Sequence, residues 1–391
     1  MFGEDICGLL FTDCFLLYEY DNIYIGGSGK DNALETKKWN IGWGAVSECN
    51  MNCQFCYSKK GRELQSTVGL AEWKSFIQNN HHLTNSINYG TGENSLSVDW
   101  FELINFIRDN YPNIGQALTT NGYISHQVSK NDEFDVISKK CIDEIDVSLD
   151  FADSNKHNFF RGNNNAYAWA INTLKYCDEN GISATIVFLG TNDVLDIQNI
   201  KGLFSIAKTY NAKLRMNIFR PSMGHNAKST KFIASYSRLL DVLKWISDNQ
   251  IVLSLSDPLF CAILTDGMTE IDHSGKDSIR ILHDGYITPS TYLISDEFKR
   301  YSILNNITIE GLDFDETIIP EACSQCNYLD RCGGGVVDRR YLWYKDLNVP
   351  DPYCPFREEN YLPDFKIKID DTIPFHSIHY GYLPTFFFAA K

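Results

Sequence analysis

The stretch AVSECNMNCQFCYSKKG, residues 45–61, sets Cys49, Cys53 and Cys56 within eight positions and follows them with Tyr57, Ser58 and two lysines. Thiolates are soft ligands, so cysteines clustered in this way point to zinc or to iron–sulfur chemistry. A structural zinc site closes its shell with four ligands, and no fourth Cys or His stands beside these three. Three thiolates on a four-iron cube leave one iron open.

Outward from that stretch the chain alternates apolar strand-like segments with amphipathic helix-like ones. The strand candidates are NIGWGAV (40–46), SINYG (86–90), IGQALTT (114–120), EIDVSLD (144–150), ISATIVFLG (182–190) and AKLRMNIF (212–219). Helical patterns such as LAEWKSFIQN, SVDWFELINFIRDN, NAYAWAINTLKYCDEN and YSRLLDVLKWISDN lie between them. Six β-α units in series predict an α/β fold, a parallel sheet curled toward a partial TIM-like barrel, with the active site at the carboxyl ends of its strands. The three cysteines follow directly on the first strand. We read residues 1–38 as a preamble, 39–250 as the partial barrel and 251–391 as a smaller, loop-rich domain with hairpins such as SIRILHDGYITPSTYL and an aromatic tail, HYGYLPTFFF, that reads as packing.

Of the 391 residues 43% are hydrophobic and 22% charged, the balance of a folded globular chain. No apolar run reaches eighteen residues and acids occupy the N-terminus, which predicts a cytoplasmic protein without a membrane span or signal peptide. A net charge of −15 argues against nucleic acid or anionic lipid as a partner. Twelve cysteines in a reducing compartment read as metal ligands before they read as disulfides. Cys7, Cys14, Cys141 and Cys177 are dispersed and read as buried packing.

The C-x3-C-x2-C spacing, Phe55 before the third cysteine, and the pieces GTGEN (90–94), TTNG (119–122) and SLD (148–150) after successive strands together resemble the radical S-adenosylmethionine (SAM) superfamily. That resemblance implies a [4Fe-4S] cluster on Cys49, Cys53 and Cys56, with SAM on its open iron and cleaved to a 5′-deoxyadenosyl radical. It also implies Gly92 and Glu93 at the SAM amino group, Ser148 and Arg161 at its ribose or carboxylate, Asn121 in the same pocket and Phe55 at adenine. An electron donor such as flavodoxin or ferredoxin belongs to this chemistry.

A second group, Cys323, Cys326, Cys332 and Cys354, has the spacing C-x2-C-x5-C-x21-C. Four thiols close a shell, for zinc or for a cluster. In this context the spacing resembles the SPASM extension of radical SAM enzymes, which implies one auxiliary [4Fe-4S] cluster for electron transfer or for holding the small domain together. The glycines at 333–335 are expected to carry the backbone past it. A second auxiliary cluster is not expected, because Val336 and Ser290 stand where its cysteines would be.

As a whole the chain is similar to radical SAM peptide epimerases, maturases of the proteusin and Nif11-leader type that act on ribosomally made precursor peptides. The resemblance implies conversion of L- to D-residues, with Cα hydrogen abstracted on one face and hydrogen returned by a thiol on the other. Cys261 reads either as a buried hydrophobe or as a free thiol facing the active site; about two hundred residues after the cluster motif, it matches the donor's placement, and Asp257 is read either as orienting the peptide or thiol or as capping the turn before Pro258. Two alternatives stand beside this reading. One is a maturase that forms thioether or carbon–carbon crosslinks; the other is a non-enzymatic, zinc-binding interaction module.

Overall fold

The computed structural model describes residues 37–59, 68–222, 227–266, 274–314, 318–373, 375–379 and 381–391, so Cys7 and Cys14 lie outside the described residues. Among these, strands β1 (Trp39–Trp43), β2 (Thr84–Tyr89), β3 (Gly115–Thr120), β4 (Glu144–Ser148), β5 (Ser183–Gly190) and β6 (Lys213–Ile218) run consecutively and in parallel. These are the six expected strands, each within a few residues of its sequence bounds. Their apolar positions are buried on both faces, the pattern that a parallel sheet covered by crossover helices requires.

The helices between them are α1 (Leu70–Asn80), α2 (Val98–Asn110), α3 (Ile124–Val128), α4 (Asp132–Cys141), α5 (Ser154–Arg161), α6 (Ala166–Asn180) and α7 (Ile197–Thr209). Further on come α8 (Ala227–Thr230), α9 (Tyr236–Asn249), α10 (Pro258–Leu264), α11 (Leu329–Cys332) and α12 (Val337–Tyr344). Side-chain caps start many of them where the chain leaves the sheet: Ser97 accepts from Trp100 N, Asp153 from Lys156 N, and Asp196 from Gln198 N and Asn199 N. Cys141 and Cys177 are fully buried among apolar side chains, as expected.

The C-terminal residues extend this same sheet. Strands β7 (Ile251–Leu255), β8 (Ser278–Ile281), β9 (Tyr286–Thr288), β10 (Tyr301–Ser302) and β11 (Phe386–Ala389) give the spatial order β10-β9-β8-β1-β2-β3-β4-β5-β6-β11-β7. β8 and β9 form the hairpin predicted for SIRILHDGYITPSTYL, with β8 parallel to β1. The tail strand β11 inserts antiparallel between β6 and β7. Residues 37–391 accordingly form one compact unit.

Alternate residues of a strand share a face, and on the inner face of this sheet they are polar: Glu144, Asp146 and Ser148 on β4, and Lys213, Arg215 and Asn217 on β6. The tail satisfies the lower part of that face. Glu144 accepts from Ser377 Oγ and Ile378 N at 3.0 Å, and Asp146 pairs with Arg215 at 2.6 Å and His379 Nε2 at 2.9 Å. Tyr382 lies against Gly42 so closely that a β-carbon there would overlap its ring. The tail therefore closes the barrel from below and leaves the upper end, with Ser148 and Asn217, uncovered.

A buried ion triad fixes the second half of the chain to β7. Arg339, fully buried, donates to Asp257 at 2.6 Å and to Asp351 at 2.6 Å. Removing the shared cation leaves two buried carboxylates unpaired. Arg339→Met is therefore expected to cost about 3–5 kcal/mol of unfolding free energy, read from a shift in the denaturant midpoint at constant slope.

Candidate active site

A cleft of about 1010 Å³ lies over the carboxyl ends of β1–β6. Cys49, Cys53 and Cys56 line it from the segment after β1, Gly90, Thr91 and Gly92 from the end of β2, and Thr119, Thr120 and Asn121 from the end of β3. Ser148 and Arg161 line it from β4 and α5, Asn217 and Arg220 from β6 onward, and Tyr292 from beyond the β8–β9 hairpin.

The cysteine segment is held by its neighbours on the sheet. Glu93 N donates to the Glu48 carbonyl at 2.7 Å, and Gly92, at φ +67°, approaches so closely that a β-carbon would sit 2.3 Å from that same oxygen. Only glycine meets both demands, which explains the third residue of GTGEN. From β3, Asn121 Nδ2 donates to Asn50 Oδ1 at 2.7 Å and reaches Cys49 Sγ at 3.8 Å. Below α5, Cys53 Sγ contacts the Arg161 carbonyl at 3.4 Å.

Burial pushes the Cys53 thiol up to about 11; Arg161 draws it down, and Cys56 and Cys49 raise it further. The three thiols thus feel one another's charge, and a cationic centre between them relieves both burial and repulsion. Among the described residues no three Cys, His, Asp or Glu side chains converge on a single-ion site. The donor set and the open cleft beside it fit a cluster held on one wall.

Arg161 is positioned by Asp150, to which Nε and Nη2 donate at 2.7 and 2.6 Å, and it lies 5.1 Å above the Phe55 ring. Phe55 stacks on Phe160 at 4.3 Å. The sequence-derived set Phe55, Gly92, Asn121, Ser148 and Arg161 is therefore brought together on the cleft with the three cysteines.

Glu93 is not. It is fully buried behind the wall, where its carboxylate accepts from Ser95 Oγ at 2.6 Å, Thr120 Oγ1 at 2.9 Å and Asn121 N at 2.8 Å. Burial raises its pKa, although these donors pull it down. With these donors on its oxygens, it joins the end of β2 to the end of β3.

Cys261 and Asp257 lie apart from this wall. Cys261 is 2% exposed in α10, with its thiol 3.5 Å from Thr265 Oγ1, and α10 packs on α11 of the second cysteine group. Asp257 caps α10, accepting from Leu259 N and Phe260 N, and its other oxygen binds Arg339. Neither residue lines the cleft, because the turn after β7 directs α10 toward the second cysteine group. The capping alternative for Asp257 is the one observed.

Cys323, Cys326, Cys332 and Cys354 surround a separate space of about 350 Å³, walled by Leu259, Ile263 and Phe356 among others. Burial raises the Cys323 thiol, and Cys354 and Cys326 raise it further. The Gly333–Gly335 turn carries the chain past Pro320 and Asp351 beside this space.

Asn217, Arg220, Tyr57 and Tyr292 were not anticipated on the cleft. The alternation of Lys213, Arg215 and Asn217 against Leu214, Met216 and Ile218 carried the signal for Asn217, whereas Tyr292 comes from a distant hairpin with no local signature. Glu93→Ala, which strips Ser95, Thr120 and Asn121 N–H of their acceptor, is expected to destabilise the fold by about 1–3 kcal/mol and to lower iron retention. Glu93→Gln should lose less, measured by thermal unfolding and iron content.

Comparison with known proteins agrees with this geometry. Residues 46–200 match the model of the Radical SAM superfamily. The chain is 22% identical over 353 residues, 83% of this chain and 94% of that protein, to an AdoMet-dependent heme synthase of Nitratidesulfovibrio vulgaris. It is 26% identical over 137 residues, 34% of this chain and 29% of that protein, to the antilisterial bacteriocin subtilosin biosynthesis protein AlbA of Bacillus subtilis. The structure of Streptococcus suis SuiB bound to its precursor peptide SuiA superposes with a TM-score of 0.64 at 15% identity, covering 82% of this chain and 76% of SuiB. No helix among the described residues is long and apolar enough to cross a membrane. The stretch matched by the Radical SAM superfamily model, residues 46–200, contains the three clustered cysteines of the cleft wall.

Proposed function

We propose that the protein is a radical SAM enzyme that epimerises residues of a ribosomally made precursor peptide from L to D. Cys49, Cys53 and Cys56 hold a [4Fe-4S] cluster, and Gly92, Asn121, Ser148, Arg161 and Phe55 seat SAM beside it. A cluster held there would supply the electron, received from a donor such as flavodoxin or ferredoxin, for reductive cleavage of SAM to methionine and the 5′-deoxyadenosyl radical. The chain's own part is to hold the nucleoside against the peptide Cα–H and to keep water away. Arg161, paired with Asp150 and lying over Phe55, holds its guanidinium and that ring in a fixed position at the nucleoside end of the cleft. The peptide-bound fold of SuiB and the similarity to AlbA support a peptide substrate.

One observation favours epimerisation over crosslinking. Crosslink formation removes a further electron from the substrate radical, so it needs an acceptor near the cleft. Where the superfamily resemblance would set the ligands of a second auxiliary cluster, Ser290 Oγ instead donates to Asp338 at 2.8 Å, and Asp338 pairs with the cleft residue Arg220. That bridge is redox-inert. Epimerisation leaves the substrate's oxidation state unchanged: the deoxyadenosyl radical takes one hydrogen atom from Cα, a donor X–H returns one to the opposite face, and the donor radical left behind is restored by one electron from the external reductant and a solvent proton. The remaining four cysteines close an auxiliary cluster on the far side of α10.

Tyr57 and Tyr292 line the cleft, whereas Cys261 does not. Cys261→Ala is accordingly expected to retain both SAM cleavage and D-residue formation; losing only the D-residue would return the donor role to that thiol. Reconstituted anaerobically, the protein should bind iron and sulfide and release 5′-deoxyadenosine, and Ala at Cys49, Cys53 or Cys56 should abolish that release. Incubated with the precursor peptide, it should give a product of unchanged mass in water and one deuteron per converted residue in heavy water. A loss of mass would establish crosslinking instead.

A further inference from the structure

Two buried polar atoms at the β6 end of the cleft have no hydrogen-bond partner among the described residues: Asn217 Oδ1 and Arg220 Nη2. Both belong to side chains on the cleft wall, at the opposite end of the parallel run from the cysteines. Arg220 is 3% exposed. Its Nε donates to Asp338, its Nη1 donates to the Ile218 carbonyl at 3.2 Å, and its guanidinium lies 4.7 Å above the Tyr292 ring. Asp338 is held in turn by Ser290. The guanidinium is thus rigidly aimed with one donor unused.

The charge balance limits what that donor binds. Arg220 and Asp338 form a buried neutral pair, so an anionic ligand would bring a second negative charge to a cation already matched. What the wall offers is directional: one oxygen acceptor from Asn217 in β6 and one N–H donor from Arg220, just past the end of that strand. Buried polar groups are satisfied in a working site, so the ligand carries an acceptor and a donor side by side and no net charge. A secondary amide has this pattern.

We infer that Asn217 and Arg220 read a backbone amide of the substrate: Asn217 Oδ1 accepts from its N–H, and Arg220 Nη2 donates to its carbonyl. The inference rests on the peptide substrate proposed above and deepens it. These are positioning residues. They fix the main chain next to the hydrogen to be removed and leave the side chain unread, so one cleft accepts several residue types at the converted position. Ser290 and Asp338 hold Arg220 in place, which gives the bridge a use beyond filling space.

The test compares three probes of nearly the same shape on the reconstituted protein, by competition in ligand-observed NMR: N-methylpropanamide, methyl propanoate and propanoate. The amide is expected to bind about tenfold more tightly than the ester, which lacks the N–H, and than the anion. Asn217→Leu should erase the amide-over-ester margin while leaving the affinity for S-adenosylhomocysteine unchanged. Because Arg220 is part of a buried ion pair, its test is the neutral double variant Arg220→Gln with Asp338→Asn, which should weaken the amide and the ester alike. Propanoate binding as well as the amide would overturn the inference, as would a margin that survives Asn217→Leu. So would a changed affinity for S-adenosylhomocysteine in that variant, since the residue would then serve the nucleoside. A sample that holds no iron and cleaves no SAM but keeps the margin supports the amide reader and counts against the radical chemistry alone.

Discussion

The hydrogen bond from Glu93 N to the Glu48 carbonyl, 2.7 Å long, is the contact on which the site depends. The segment after β1 is a loop, and a loop carrying three thiols has no geometry of its own. Gly92 lets the end of β2 press against residues 46–48, and Glu93, from behind, locks that end to Thr120 and Asn121 on β3. Asn121 then reaches back to Asn50 and Cys49. The cysteines are thereby referenced to two strands of a rigid sheet, which is the condition for a precise site built on loops.

The parallel sheet was legible because its evidence is local. Strands such as ATIVFLG are apolar on both faces, and each is followed by a helix whose start carries a capping side chain, so type and order follow from short windows. The cleft residues at the ends of those strands were legible for the same reason: the end of a strand in a β-α unit is a fixed place. Glu93 shows the limit. Its motif places it at the cleft, yet whether its carboxylate points into the cleft or behind the wall is decided by Ser95 and by Thr120 from the next strand, which the motif does not contain.

Contacts distant in sequence were less readable. FFFA at the end of the chain reads as apolar packing, and nothing within it says that it will enter between β6 and β7 as an antiparallel strand. Cys261 was placed by its distance from the first cysteines and by the absence of thiol partners, and neither quantity carries direction. The residues that determine its surroundings are Asp257, which starts α10, and Arg331, which donates to the Cys261 carbonyl at 3.2 Å from beside Cys332. Those contacts tie the helix to the second cysteine group.

The two cysteine groups therefore have different relations to the fold. The first lies on a cleft wall and exposes its thiols to the space where a nucleoside is proposed to sit. The second is built into a buried framework: Cys354 N donates to the Asp351 carbonyl, Asp351 N donates to the Gly334 carbonyl, and Asp351 shares Arg339 with Asp257 at the end of β7. A change of charge among the four thiols is felt first by that ion triad, and through Asp257 by the start of α10. The buried polar pair Asn217 and Arg220 is joined to it through α12, which carries both Arg339 and Asp338. Adjacent residues of one short helix thus hold the closed group to the sheet and fix the guanidinium on the cleft wall.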